Sequence, residues 1–475
     1  MSSLGSIFYG AVINPKTLTA YDAFPHCLLS VGPDGNIDWI EENVEEHDLQ
    51  DTLAKKGLVD VNIVTLQPGE FLLPGFIDTH THAPQLPNLG CGQQYELLEW
   101  LDNVTFPMEA KFSDIEFASR SYKSAVRRII DCGTTTCCYY GTLHLEATKL
   151  LANIVHTNGQ RAFIGKCNMD RECPDYYVEP CAEASIRDTL ALISHIRSLP
   201  SPTASQDTLP LVQPILTPRF AISCTSDLLT SLGELASSDP SLHIQTHVSE
   251  NLSEIGVVSQ LFPNSLHYTG VYDYFGLLRS NTILAHGIWL KDAEIELIAE
   301  RKAGISHCPT SNFNLSSGLA PIGLYLDKGI KVGLGTDVSG GFSPSILDVV
   351  QNASITSKVI AMQNRSVNTV STFANRQFTV ATLLYLATMG GAEVCDISKK
   401  VGSFAPGKCF DALLVDTRSS AGTPGLWFPE NDVRRMDKMA LDGLLERFLF
   451  CGDDRNISKV YVQGRFIGGK SFSRV

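Results

Sequence analysis

The sequence predicts an α/β protein: a TIM-like (β/α)8 barrel with a small β-sandwich domain formed from both termini. Three observations lead there. Eight apolar, strand-like runs follow one another in the middle of the chain, most of them separated by a helical pattern, as a parallel sheet covered on both faces requires. The polar residues of chemical interest fall at or just past the C-terminal ends of these runs, which favours a barrel over an open doubly wound sheet. Both termini are β-rich while the middle is not, which sets the divisions 1–72 for the N-terminal part of the small domain, 73–400 for the barrel and 401–475 for the segment completing the small domain.

Taken in order, residues 8–13 and 27–31 read as strands, and Pro33-Asp34-Gly35-Asn36 as a hairpin turn into 37–40. The acidic stretch 41–51 reads as a solvated helix or loop. Runs 72–78, 134–140, 162–167, 212–216, 243–248, 282–286, 304–307 and 332–335 supply the eight barrel strands. A capping box, Ser113-x-x-Glu116, opens a helix with Phe117, Ala118, Tyr122, Ala125, Val126, Ile129 and Ile130 on its apolar face. A second helix starts at Asp292, carries Ile295, Leu297 and Ile298, and has Gly304 as its stop. The long insert 83–112 after the first barrel strand is placed to form a lid or substrate wall over the mouth. At the far end, the turn 402–408 leads into a strand at 410–416, and 460–466 alternates as another. Short exposed sheets need partners to bury a face, so the two ends are expected to share one domain.

Composition narrows the functional classes. With 44% hydrophobic and 19% charged residues among 475, the chain is an ordinary globular one with ample core. A net charge of -14 and a pI near 5.3 speak against binding nucleic acid or an anionic membrane, since either needs a basic face. Thirteen cysteines show no short-spaced framework and residues 1–10 lack a secretory pattern, so reduced thiols and a cytoplasmic location are expected. No apolar run approaches the roughly 18 residues of a membrane span.

The chemistry begins at Pro74-Gly75-Phe76-Ile77-Asp78-Thr79-His80-Thr81-His82. Residues i and i+2 of a strand share a face, so His80 and His82 can direct two imidazoles to one point, a spacing that suits a transition metal such as zinc. Later strand ends add His247, His286 and Asp337. Each alone reads as a strand-end residue; together, three imidazoles and a carboxylate with a position left for water form a catalytic zinc arrangement. Glu250, three residues past His247, is the candidate proton carrier. Asp337 could both bind metal and accept a proton, and His286 could orient water instead of binding; the residues leave these roles open. Arg219, after the fourth strand, could bind a carbonyl oxygen with its planar fork, while Gln85 and Trp100 of the insert could hydrogen-bond to and stack on a heterocycle. Cys308, with His307 and Asn312 nearby, lacks the partners of a thiol nucleophile and is assigned a structural role. His144-Leu145-Glu146 lacks the Pro-Cys-x-x-Cys that would make it a deaminase zinc motif, since Pro180-Cys181 has no second cysteine at that spacing. The end, Ser473-Arg474-Val475, fits a PDZ-type carboxylate-capture ligand.

The His-x-His run, the later histidines and Gly335-Thr336-Asp337 resemble the amidohydrolase superfamily. Leu97-Leu98-Glu99-Trp100-Leu101, Thr105-Phe106-Pro107, Gly133-Thr134-Thr135-Thr136, Gly159-Gln160-Arg161-Ala162-Phe163, Thr217-Pro218-Arg219-Phe220 and Gly452-Asp453-Asp454-Arg455-Asn456-Ile457 are similar to the guanine deaminase family within its ATZ/TRZ-like branch. The resemblance implies a barrel of the metal-dependent hydrolase type and one zinc per subunit held by His80, His82, His247 and Asp337. It implies Glu250 as proton shuttle, His286 beside the water, and Gln85, Arg219 and Phe220 holding a purine, with Trp100, His247, Glu250 and Asp337 completing its surroundings. Arg219 would meet the exocyclic oxygen. The implied reaction is hydrolysis of guanine to xanthine and ammonia in purine catabolism, by a homodimer. Binuclear relatives carry a modified lysine at the end of strand four; residues 211–220 contain none, so a single metal is expected. The sequence leaves two alternatives: a related mononuclear enzyme acting on a pterin, triazine or modified nucleoside, and a non-catalytic scaffold retaining the barrel.

Overall fold

The structure, a computed structural model, describes residues 5–58, 61–201, 209–365, 372–422 and 437–473. Strands β1 (Ser6–Thr17), β2 (Ala20–Val31) and β3 (Ile37–Glu42) form an antiparallel meander, and β4 (Ile63–Thr65) and β5 (Glu70–Pro74) lie parallel to β1. The acidic stretch leads into a short helix, Leu49–Lys55.

Strand β6 (Phe76–His82) begins two residues after β5 but in another sheet, so the run 72–78 is two strands and not the one expected. Gly75 is the crossing point: a Cβ there would sit 2.2 Å from the Thr135 side chain, so only glycine lets the chain pass this close to the barrel wall. The barrel continues with β7 (Thr134–Tyr140), β8 (Arg161–Gly165), β9 (Cys167–Asn168), β10 (Val212–Pro218), β11 (His243–Val248), β12 (Thr282–His286), β13 (Gly304–His307) and β14 (Lys331–Leu334). These are parallel in the order β6-β7-β8-β10-β11-β12-β13-β14, with β9 extending the third stave against β10. Every residue of β6, β7 and β12 is buried, as a parallel sheet covered on both faces requires. Closure comes from the last residue of β14 and the chain just past it. There the Asp337 amide donates to His80 O (2.8 Å), the His82 amide donates to Val338 O (3.2 Å), and the Thr79 hydroxyl donates to Leu334 O (2.8 Å).

Two helix ends differ from the sequence expectation. The helix Ile115–Asp131 is capped by Asp114, whose carboxylate accepts from the amides of Glu116 (2.9 Å) and Phe117 (3.2 Å). Ser113 already closes the turn Lys111–Ser113 and donates to Ala110 O, whereas Asp114 has the extended backbone an N-cap needs. The helix Asp292–Arg301 stops on Lys302, left-handed at φ 58°, while Gly304 opens β13 against Val394.

Returning from the barrel, β15 (Ala412–Asp416), β16 (Ile457–Val462) and β17 (Arg465–Gly468) complete the terminal sheet in the order β17-β16-β15-β5-β1-β2-β3. The sheet curls on itself: Phe8 stacks on Phe410 at 4.9 Å, and the Ile37 amide donates to Lys408 O (2.7 Å). Its own core, including Val12, Leu29, Leu72, Phe404 and Leu414, lies between the two halves. A buried ion pair ties it to the barrel, Arg161 Nε to Asp411 Oδ2 at 2.9 Å and Nη2 to Oδ1 at 3.2 Å. No helix among the described residues is long and apolar enough to cross a membrane. Arg474 and Val475 of the terminal tripeptide lie outside the described residues.

Candidate active site

Barrel closure gathers the strand ends. His80 and His82 project from one face of β6, and the hydrogen bonds that join this strand to the chain past β14 bring Asp337 beside them. Asp337 Oδ1 lies 3.1 Å from His80 Nε2 and 3.4 Å from His82 Nε2, and Oδ2 lies 3.7 Å from His286 Nε2. His82 Nε2 is 3.2 Å from His247 Nε2. Ligand atoms of His80, His247, His286 and Asp337 all fall within 4.8 Å of one another, a grouping able to hold a metal ion, with His82 against its edge. The donor set also fits a metal chemically. His80 Nε2 and His286 Nε2 are buried without a hydrogen bond of acceptable geometry, although carboxylate oxygens stand 3.1 and 3.3 Å away. Buried nitrogens left this way cost about 1–3 kcal/mol each unless a cation takes their lone pairs.

Outer contacts set which nitrogen faces the centre. His247 Nδ1 meets Arg219 O at 2.5 Å, and a carbonyl can only accept, so Nδ1 carries the proton and Nε2 the lone pair. His286 Nδ1 meets Asn312 Oδ1 at 2.9 Å, with the same consequence. Asp78 holds the β6 and β14 ends together, accepting from the amides of His80 (3.2 Å) and Thr336 (3.0 Å) and from the Thr336 hydroxyl (2.5 Å). Burial pushes its carboxyl up to about 6, against those hydrogen bonds. Gly335 lets β14 approach, since a Cβ there would lie 2.4 Å from Ser306 Oγ and 3.0 Å from His80 Cβ. Three non-glycine residues at these strand ends are left-handed: Ser249 (φ 47°), His286 (φ 71°) and Asp337 (φ 44°). Each costs on the order of 1–3 kcal/mol, which the surrounding hydrogen bonds must offset.

Charge is distributed unevenly across the cluster. Burial, followed by the adjacent imidazoles, holds His82 and His247 well below the usual histidine range, so both imidazoles are neutral at physiological pH. Burial alone would raise the Asp337 carboxyl, but His80, then His286 and His82, hold it below the ordinary carboxylate range. Glu250 goes the other way, pushed well up by burial and then by the charges of Asp337 and Glu254. Its Oε2 stands 3.3 Å from His286 Nε2, and its Oε1 accepts from Ser317 Oγ at 3.2 Å. One site therefore contains a carboxylate held below the ordinary range and another whose proton affinity is raised, a division suited to acid–base work.

A cavity opens over the cluster. His82, His247, Glu250 and Asp337 form its floor; Gln85 and Trp100 of the insert and Arg219 and Phe220 after β10 form its walls. The insert is thus a wall of the site, and the expected substrate residues come together in one space. His80 and His286 lie beneath its surface. Sequence reasoning missed Glu109, Asn312 as a partner of His286, Asp78 and Ser317. Asp78 lay in the run that carries His80 and His82 and could have been singled out as an acid two residues before His80; the other three carry no spacing signal.

The amidohydrolase family model matches residues 71–467. A probable guanine deaminase of Schizosaccharomyces pombe is 46% identical over 435 residues, 92% of this chain and 78% of that protein. The guanine deaminase of Dictyostelium discoideum is 42% identical over 97% of this chain and 98% of its own length. The crystal structure of guanine deaminase from C. acetobutylicum with guanine bound in the active site superimposes with a TM-score of 0.83 at 36% identity, covering 97% of this chain and 99% of that one. The chain belongs to the amidohydrolase family and, within it, to the guanine deaminases.

Proposed function

We propose that this protein hydrolyses guanine to xanthine and ammonia with one zinc ion per subunit. One observation carries the reading: the histidine–carboxylate cluster and the Arg219–Gln85 pair face a single cavity. His80, His82, His247 and Asp337 would hold the metal, which when bound supplies a Lewis acid that makes water nucleophilic near neutral pH. Imidazole nitrogen and carboxylate oxygen are donors zinc accepts readily.

The side chains divide the remaining work. Arg219 donates to the exocyclic oxygen of the base, Gln85 hydrogen-bonds its edge, and Phe220 and Trp100 pack against its faces. His286 orients the attacking water. Glu250 takes a proton from that water as the new carbon–oxygen bond forms at the amino-bearing carbon, and passes it to a ring nitrogen. Its raised proton affinity suits both halves of that transfer. The adduct then collapses, the carbon–nitrogen bond breaks, and ammonia leaves with a second proton delivered through Glu250. The reading includes a cytoplasmic homodimer and the domain limits 1–72, 73–400 and 401–475, carried over from sequence and resemblance.

The test is ammonia release from guanine, adenine, cytosine, guanosine and ammeline by the zinc-loaded protein and by Glu250→Gln. Guanine alone should be turned over efficiently, and the variant should lose at least a hundredfold. Equal rates on adenine and guanine, or full activity in the variant, would overturn the assignment.

A further inference from the structure

Behind the cavity wall sits a carboxylate that does not itself line the cavity. Glu109 is wholly buried and accepts four hydrogen bonds: Arg219 Nη1 (2.7 Å) and Tyr177 OH (2.8 Å) on Oε2, Gln85 Nε2 (2.8 Å) and Arg219 Nη2 (3.2 Å) on Oε1. Four donors saturate an ionised carboxylate, which has no proton of its own to offer. The guanidinium that reaches the ligand, itself 2% exposed, is therefore already paired with a full negative charge. The same carboxylate fixes the Gln85 amide. Because Glu109 only accepts, the Gln85 NH2 must point to it, which turns Oε1 toward the Ser339 amide at 2.9 Å.

We propose that Glu109 is the positioning residue that sets the ligand charge this wall accepts: by cancelling the Arg219 cation and fixing the Gln85 amide, it lets the pocket hold a neutral oxo-purine and disfavours its anion. The inference rests on the functional reading above and adds to it. The substrate of that reaction is neutral near pH 7, whereas a dioxo product loses a ring proton more readily because two carbonyls share the resulting charge. A bare guanidinium would retain that anion; the Arg219–Glu109 pair gives it no such hold and favours product release. Removing the carboxylate charge should strengthen anion binding while loosening the geometry that recognises the neutral base.

The experiment uses zinc-loaded full-length protein, wild type and Glu109→Gln, with guanine as substrate and xanthine and hypoxanthine as competing ligands between pH 6.5 and 9. In the variant, the KM for guanine should rise about fivefold or more and hypoxanthine should bind more weakly. Xanthine should inhibit about tenfold more strongly, with a gain that grows as pH rises and the ligand ionises. Parallel weakening of xanthine and hypoxanthine would mean a purely structural role and would overturn the inference. Should Glu109→Gln fail to fold, the wild-type pH series decides: xanthine inhibition should weaken as pH rises and the ligand ionises, more steeply than hypoxanthine inhibition, and xanthine binding that holds or strengthens over that range would overturn it. Wild-type turnover of guanine is read first: its absence sinks the functional reading and this inference together, whereas turnover with the wrong inhibitor pattern sinks this inference alone.

Discussion

Replacing Asn312 by alanine isolates the contact that orients His286. Asn312 Oδ1 accepts the His286 Nδ1 proton at 2.9 Å, both residues being buried. Without that acceptor, the imidazole proton is free to move to Nε2, the nitrogen that faces Glu250 at 3.3 Å and Asp337 at 3.7 Å. An Nε2–H would donate to one of those carboxylates, and the lone pair aimed at the reaction centre would be lost. Removing an outer partner of this kind typically costs 10–100-fold, equivalent to about 1.4–2.7 kcal/mol. Steady-state assays with guanine should therefore show kcat/KM about 10–100-fold lower in Asn312→Ala. Zinc content measured on the same samples separates the two roles of His286. A fall in kcat at full zinc occupancy means His286 orients water; a fall in zinc affinity means it binds metal. Activity within twofold of wild type would refute the assignment of this hydrogen bond to catalysis.

Three further outcomes follow from other parts of the molecule. Arg161→Met strips the partner from Asp411, buried to 2% side-chain exposure, and should destabilise the protein by about 3–5 kcal/mol in urea titrations, with Arg161→Met/Asp411→Leu recovering most of the loss. His307 is fully buried with both ring nitrogens unpartnered, and burial followed by His286 lowers its pKa from 6.5 to about 3. Below pH 6.5 the unfolded chain takes up a proton that the native state refuses, so stability is complete above 6.5 and is lost as pH falls toward 3. The loss at pH 5 is about 2 kcal/mol, and the urea midpoint of His307→Gln should fall less than that of wild type between pH 7 and 5. Removing metal with a chelator should lower the melting temperature, and zinc should restore it in a concentration-dependent way; in His80→Ala the zinc-dependent shift should shrink or vanish.

The sequence exposed those features that have a period or a position. Barrel strands are buried on both faces and therefore read as apolar runs, and His80, His82, His247, His286 and Asp337 each mark a strand end. It missed features that depend on a neighbour far along the chain. Glu109 sits in a segment without a clear pattern and becomes legible only when Arg219, 110 residues away, folds against it. Asn312, noted only as a neighbour of Cys308, acquires its role from His286. Gly75 divides an unbroken apolar run between two sheets for the sake of a contact with Thr135, and Asp114 captures the cap from Ser113 through backbone geometry that a motif does not encode.

Addition of water to the amino-bearing carbon of guanine, with expulsion of ammonia, leaves an isotopic record in the product. Turnover of guanine in 18O-labelled water by protein of known zinc content, with the product identified by mass spectrometry, tests it most directly. Xanthine carrying one solvent oxygen and one ammonia per molecule formed, with adenine left intact under the same conditions, is the predicted result. Unchanged guanine at full zinc occupancy, or a product without the solvent label, would contradict it.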